Sequence, residues 1–361
     1  MSRILRIARW SAAGLALLVT LTIAAAFLWR ADAQARNAAA ARIASPNGID
    51  EAGYVELNGV AQWVTLRGQD RANPILLVLD GGPGYATSPF APSPLERDFT
   101  VVRWDQPGAG RTFGRAGRKV DPRLSEDDFA RYGIQVAEHA RRRLGQRKVA
   151  LLATSWGTII GLRMVRARPD LFYAYVGAGQ VADGRRGEDL GYRQVLARAM
   201  ARRDERALRE LRRIGAPPFD SQAELSVQRT IAMTYEAGAP TGWAIARDVL
   251  GAPGYSLSDA RNWFDGFRTS TRTFYEMRRN RDAQALGLDF QTPVFIFQGD
   301  QDDFTPHALA AEYFDRVRAP RKGFVSVAGA GHFAVASHAP QLLRLLLDEV
   351  RPLAAAGGTD Q

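Results

Sequence analysis

The 361-residue chain is 46% hydrophobic and 24% charged, a globular balance that excludes a largely disordered protein. It has no cysteine, which rules out disulfides, cysteine nucleophiles and cysteine-ligated zinc together. The net charge of +10 raises nucleic acid or anionic membrane as partners, yet the arginines are mixed with acids, as in Arg202-Arg203-Asp204-Glu205-Arg206. That is a solvated helix face, and without aromatic–basic interleaving nucleic acid is set aside.

Arg3, Arg6 and Arg9 precede an uncharged, largely apolar run from Trp10 to Trp29 that ends at Arg30. Its length is close to the ~20 residues a helix needs to cross a bilayer. The leading arginines place residue 1 in the cytoplasm and the rest in the periplasm or outside. A secreted form, cut as a signal peptide at Ala31-Asp32-Ala33, is the rival expectation. The run exceeds the usual ~7–15 residues of a signal h-region, which favours an uncleaved inner-membrane anchor over residues 1–30. The alanine-rich residues 31–52 read as a tether or weak helix.

The folded core is expected over residues 53–180 and 291–361. Tyr54–Leu57 and Gln62–Leu66 flank Asn58-Gly59, a hairpin signal. Pro74–Leu79 is a continuous apolar run of the kind buried on both faces of a parallel sheet, and it stops at Asp80-Gly81-Gly82-Pro83-Gly84. Phe99–Trp104 is the next strand and stops at Asp105-Gln106-Pro107-Gly108-Ala109-Gly110. A helix follows over 125–145, capped by Ser125, with Phe129, Tyr132, Val136 and Leu144 on its apolar face. Val149–Leu152 and Phe172–Val176 are strands either side of a helix from Thr158 to Val165. Residues 181–290 break the alternation: they are helical in pattern, arginine-rich and interrupted by proline–glycine turns, as expected of a helical cap inserted between strands. Pro293–Phe297, Phe324–Val327 and a last helix from Gln341 to Val350 complete an α/β pattern with a mostly parallel central sheet covered on both faces.

Ala153-Thr154-Ser155-Trp156-Gly157 falls between a predicted strand and a predicted helix, where a sharp turn exposes a serine Oγ at the sheet edge. A serine hydroxyl needs a base that is itself oriented by a third group. Four histidines are available: His139, His307, His332 and His338. His332, in the glycine-rich turn Ala328–Phe333 after a strand, is the best placed; His338 is second choice. The acid falls in Gly299-Asp300-Gln301-Asp302-Asp303, after the preceding strand, and the three aspartates are not separated by position alone. An oxyanion would be met by the backbone N–H of Trp156 and by one from the turn Gly81–Gly84. Gly108-Ala109-Gly110 lacks the lysine and glycine fingerprint of a phosphate loop, and no metal-ligand cluster is present.

The Gly-Gly-Pro-Gly turn, the segment Asp105–Thr112 and the Ser155-Trp156-Gly157 elbow together resemble the proline iminopeptidase family of the α/β-hydrolase fold, over roughly residues 54–180 and 290–350. The resemblance implies a serine hydrolase with a helical cap and no cofactor. It selects Asp302, through Gly299-x-x-Asp302 and Pro306, as partner of Ser155 and His332, and it assigns the oxyanion donors to the amides of Gly82 and Trp156. Asp80 stands where His is common and Pro107 where Arg is usual, while Arg111 keeps its place. Family peptidases hold the substrate amine with cap carboxylates; Glu188, Glu205, Glu224 and Glu236 are the candidates, unmatched position by position. The function implied is an aminopeptidase of the proline iminopeptidase type acting on a short peptide. The runner-up is an esterase or lactonase on an exported small molecule, and a non-catalytic binding protein on the same fold comes last.

Overall fold

The computed structural model describes residues 3–90, 93–280 and 282–356. The first two residues of the expected anchor and the last five of the expected core, 357–361, lie outside them. The first hairpin is formed by β1 (Ile49–Leu57) and β2 (Val60–Gly68), with Asn58 and Gly59 both at positive φ in the two-residue turn. The strand begins at Ile49 rather than Tyr54, because Ile49 to Gly53 pair with Val64 to Gly68 along the full length of β2.

The remaining strands are β3 (Ile75–Leu79), β4 (Thr100–Trp104), β5 (Val149–Thr154), β6 (Phe172–Ala178), β7 (Val294–Gly299) and β8 (Lys322–Val327). They form one sheet in the order β1-β2-β4-β3-β5-β6-β7-β8, antiparallel at β1-β2 and β2-β4 and parallel elsewhere. Strands β3 to β7 are buried on both faces, with only Thr154 at the end of β5 partly exposed, which is why they read as unbroken apolar runs. The chain goes from β3 outward to β4, then crosses back to β5 on the other side of β3. The loops after β3 and β5 therefore diverge at a topological switch point, the place where open α/β sheets hold their sites.

The helices, in chain order, start with α1 (Arg3–Ala40) and α2 (Gly110–Arg115). Helix α3 (Glu126–Leu144) opens on a Ser125–Asp128 capping box and closes on the left-handed Gly145; α4 (Trp156–Ala167) follows β5 directly. Between β6 and β7 lie α5 (Gly184–Ala201), α6 (Glu205–Ile214), α7 (Gln222–Tyr235), α8 (Gly242–Leu250), α9 (Leu257–Thr273) and α10 (Tyr275–Arg279). The side-chain caps Asp183, Asp204, Ser221, Thr241 and Ser256 start the first five of these, so local sequence sets their boundaries. Helices α5 to α7 carry their own apolar cluster around Val195, Leu211, Phe219 and Leu225, separate from the clusters under the sheet, while α8 and α9 pack with Ala86 and Ala109 of the core loops. Next come α11 (His307–Arg316), α12 (Ala334–Ser337) and α13 (Ala339–Leu345), the last running through a π turn at Leu346–Val350.

Of the two expectations for the alanine-rich stretch after Arg30, tether or weak helix, its start is helix. Helix α1 continues unbroken to Ala40, and one face of that extension meets the turn between α8 and α9. Arg30 donates to the Tyr255 carbonyl, Gln34 Nε2 to Ala252 O (2.9 Å) and Tyr255 O (2.8 Å), and Asn37 Nδ2 to Gly251 O (2.9 Å). Ala33 is buried on the same face, beside Gly251. The spacing 30, 33/34, 37 is helical, and alanine's high propensity keeps the helix intact across it.

Candidate active site

Strand β5 ends and α4 begins within one residue, and Ser155 absorbs the turn at φ 50°, ψ −119°, a strained conformation for a residue with a Cβ. The helix can start so close to the sheet only because position 157 is glycine: a Cβ there would sit 2.5 Å from the Leu79 carbonyl oxygen and 2.9 Å from that of Asp80. Two residues before the serine, Ala153 replaces the more usual glycine. Its methyl is accommodated by Gly161 one turn into α4, where a Cβ would meet it at 3.0 Å.

The turn after β3 lies against this elbow. A Cβ built on Gly81 would be 3.0 Å from Ser155 Cβ and 3.7 Å from its Oγ. Gly82 has φ 111°, open to glycine and strained for other residues. The loop is held from behind by Asp80, whose carboxylate accepts from Thr87 N (2.7 Å) and Thr87 Oγ1 (2.9 Å), while Gln106 Nε2 donates to the Asp80 carbonyl (3.0 Å). Burial pushes the Asp80 carboxyl up to about 6, against those bonds and the charge of Arg103. In this chain the residue before the glycine turn is thus a loop brace.

After β7, Asp302 is fully buried and receives Phe304 N (2.7 Å), Thr305 N (2.8 Å), Thr305 Oγ1 (2.8 Å) and Gln298 Nε2 (3.0 Å). His332 Nδ1 lies 2.9 Å from its Oδ2 and 3.1 Å from its Oδ1. Burial alone would raise this carboxyl, but the imidazole and the converging donors outweigh it and hold it below the usual range. An ionised Asp302 fixes the proton on His332 Nδ1 and leaves Nε2 as the basic nitrogen. Phe304 stacks on the imidazole at 4.5 Å, and Gly179 closely approaches the ring, where a Cβ would be 3.0 Å from His332 Cε1. Ser155 Oγ makes no hydrogen bond among the described residues, His332 included; catalytic hydrogen bonds of this kind commonly tighten only as substrate binds.

The other candidates are elsewhere. Asp300 accepts from Gly329 N (2.9 Å) and ties the β7 and β8 loops together. Asp303 points at Arg198 (3.3 Å), and burial pushes its carboxyl up to about 6. His139 is on α3, His307 Nε2 pairs with Ser326 Oγ (2.9 Å) and His338 Nδ1 with Ser337 Oγ (2.9 Å). Arg111 is occupied between the rings of Trp63 (4.4 Å) and Tyr255 (4.7 Å) and by Asp259 (3.3 Å), so it joins the core to α9.

Of the four glutamates expected as partners of a substrate amine, one reaches the site. Glu236, just past α7, accepts from Phe333 N (2.6 Å) and presses on Gly331, where a Cβ would lie 2.5 Å from Glu236 Oε2. Burial raises its carboxyl, partly offset by that bond and by the nearby imidazole. Glu224 braces the start of α7 through Asp220 N (2.8 Å), Glu205 is exposed, and Glu188 is buried within α5. Position along the sequence does not single out Glu236, because only the return of α7 toward the β8 loop brings it there. Gln298, Phe304 and Thr305 carry no motif of their own, though Thr305 precedes the Pro306 that marks the acid.

A family profile described as alpha/beta hydrolase fold matches residues 74–339. A probable aminopeptidase, YbaC of Bacillus subtilis (strain 168), is 25% identical over 285 residues, covering 77% of this chain and 89% of its own. Among solved structures, a proline iminopeptidase-related protein from Thermus thermophilus superposes with a TM-score of 0.57 at 20% identity, covering 86% of this chain and 99% of its own. A bacterial membrane phospholipase A superposes at 0.59 with 16% identity, covering 94% and 99%.

Proposed function

The chain belongs to the α/β-hydrolase fold family, and from that premise we propose that it is a serine hydrolase working through an acyl-Ser155 intermediate. The observation that carries this reading is the ionised Asp302 bonded to His332 at 2.9 Å, together with a serine on a strained strand-to-helix turn. His332 Nε2 takes the Ser155 proton as Oγ attacks the substrate carbonyl carbon. The amides of Gly82 and Trp156 receive the developing oxyanion, and Trp156, as first residue of α4, adds the helix N-terminus. The tetrahedral adduct collapses as His332 gives that proton to the departing amine or alcohol. Water, deprotonated by His332, then attacks the ester carbon; the bond to Ser155 Oγ breaks, Oγ takes the proton back from His332, and the acid is released. Asp302 keeps its charge throughout and orients the ring.

Aminopeptidase action on a short peptide, with N-terminal proline as the preferred residue, is the first substrate reading. The similarity to a probable aminopeptidase supports it, as does Glu236, a carboxylate beside His332 able to meet a substrate ammonium. A second reading, ester hydrolysis, is favoured by the aromatic group Tyr85, Phe90, Trp263 and Phe267 flanking the glycine turn. Residues 181–290 serve as the cap in either case. The helix Trp10–Ala40 holds an 18-residue window of mean hydropathy 2.2, long and apolar enough to cross a membrane, and we read its first part as an uncleaved anchor that leaves the hydrolase outside the cytoplasm. Docking of Arg30, Gln34 and Asn37 on one body supports this, because cleavage after Ala33 would divide that contact.

The test is the rate on a prolyl anilide and on a short-chain aryl ester, side by side, for the wild type, Ser155→Ala and Glu236→Gln. Both activities should vanish in Ser155→Ala, and Glu236→Gln should raise KM for the anilide while sparing the ester. Turnover surviving in Ser155→Ala would sink the mechanism; ester turnover alone would discard the peptidase reading.

A further inference from the structure

The anchor is joined to the catalytic body at one defined place. Arg30, the first charge after the apolar run, is bonded to Tyr255 O, and Gln34 to Ala252 O and Tyr255 O. Where residues 10–29 span a bilayer, the turn 251–255 therefore sits at the membrane boundary, and α9 departs from it two residues later. What α9 shows to solvent is unusual. Leu257, Phe264 and Phe267 are 49%, 39% and 36% exposed, and Trp243 on the preceding helix is 71% exposed. Leu257, Arg261, Phe264 and Arg268 recur at helical spacing along one face. Arg118, Arg261 and Arg268 all pair with the single carboxylate of Asp265, which leaves positive charge in excess beside Phe264. Apolar side chains interleaved with surplus arginine suit an anionic lipid surface better than water. The same helix leads to the chemistry: Phe267 Cε2 is 3.5 Å from the position of a Cβ on Gly82. Leu257 and Phe267 are separated by a helical rise of about 15 Å, so the active-site mouth cannot be far from the docking turn.

We propose that the exposed face of α9 rests on the lipid surface beside the anchor, so that the active-site mouth opens at the membrane and receives substrates that partition into it. The proposal rests on the reading of residues 10–29 as a membrane span. The aromatic group around Phe267 would then line the path by which an apolar substrate portion leaves the bilayer for Ser155.

The absence of native cysteine allows single-site labelling of the full chain. Nitroxide-labelled Leu18→Cys, Leu257→Cys, Phe264→Cys and Arg213→Cys variants would be reconstituted in phosphatidylglycerol–phosphatidylethanolamine vesicles. Accessibility to oxygen and to a polar nickel chelate reports lipid or water around each label. The expected result is lipid contact at positions 18, 257 and 264 and water at 213, which lies on the exposed face of α6. Lipid at 18 with water at 257 and 264 would overturn the docking while leaving the anchor in place; water at 18 would overturn the anchor reading and the proposal with it. In parallel, Phe264→Asp should lower kcat/KM about tenfold on a long-chain aryl ester carried in the vesicles and leave a soluble short-chain ester unchanged. Equal rates on the vesicle-borne ester, or equal losses on both esters, would overturn delivery through this face.

Discussion

Asp302 occupies the position in the site where burial and ion pairing compete most directly. Four donors and the imidazole converge on two oxygens that have no access to water, and the balance falls to the ionised form. Asp302→Asn keeps the shape but removes the charge and presents an N–H toward His332 or Thr305, so the ring loses its reason to carry its proton on Nδ1. We expect kcat to fall roughly 10⁴-fold, the scale of a wrong tautomer, with little change in KM. Steady-state kinetics on whichever substrate is turned over would check this, and a loss below tenfold would remove Asp302 from its assigned role. The conformation of Ser155 belongs to the same scale: one residue at φ 50° is tolerated because β5 and α4 hold it from both sides.

Among the elements, α4 is the one on which the elbow depends. It packs so closely on the end of β3 that glycine at 157 is required by backbone oxygens, which cannot move aside as a side chain can. Gly157→Ala should therefore cost about 1–3 kcal/mol of stability, the usual range for overpacking, and should displace Ser155 enough to cut activity more than stability. Thermal unfolding measured together with turnover tests this; a variant with unchanged midpoint and rate would contradict the packing described. The helices between β6 and β7 behave otherwise. Helices α5 to α7 are capped locally and own a separate core, and they meet the site through Glu236 on the β8 loop, whereas α8 and α9 share a core with Ala86 and Ala109, and α9 is tied to the loops after β3 and β4 by Trp263 Nε1 on Ala86 O (2.9 Å) and Ser270 Oγ on Gly108 O (2.9 Å).

For the molecule as a whole, buried carboxyls govern the response to pH. Burial pushes Asp105 up to about 7, against bonds from Ser88 Oγ and Arg111 N, and Asp80 and Asp303 up to about 6. A carboxyl whose folded pKa is raised holds its proton in the native state while the unfolded chain has released it. Stability is then highest near pH 4, falls as pH rises toward 7, and is level above that. Asp302 acts in the opposite sense, but only as pH drops below the ordinary carboxylate range. Urea unfolding of the full chain should show a lower midpoint at about pH 8 than at about pH 5, and Asp105→Asn should flatten the upper part of that decline. A midpoint independent of pH over this interval would mean that these three carboxyls are better solvated than their burial indicates.

The strands β1 to β6, the Asn58-Gly59 hairpin, the capped helix after Ser125 and the serine elbow are all readable from residues 54–180, because each is set by neighbours within a few positions: an apolar run, a turn residue, a cap; their order in the sheet is not. Local signals also brought Asp302 and His332 to the ends of their strands, where the sheet then paired them. What they could not settle is which of three adjacent aspartates faces the histidine, since the turn geometry that buries Asp302 and points Asp300 and Asp303 elsewhere is imposed by Gln298, Thr305 and the β8 loop. Nor could they choose Glu236 from four glutamates, or foresee that residues 31–40 dock on the turn between α8 and α9. Those contacts join positions between about 100 and more than 200 residues apart, and they exist only once the helices between β6 and β7 are folded.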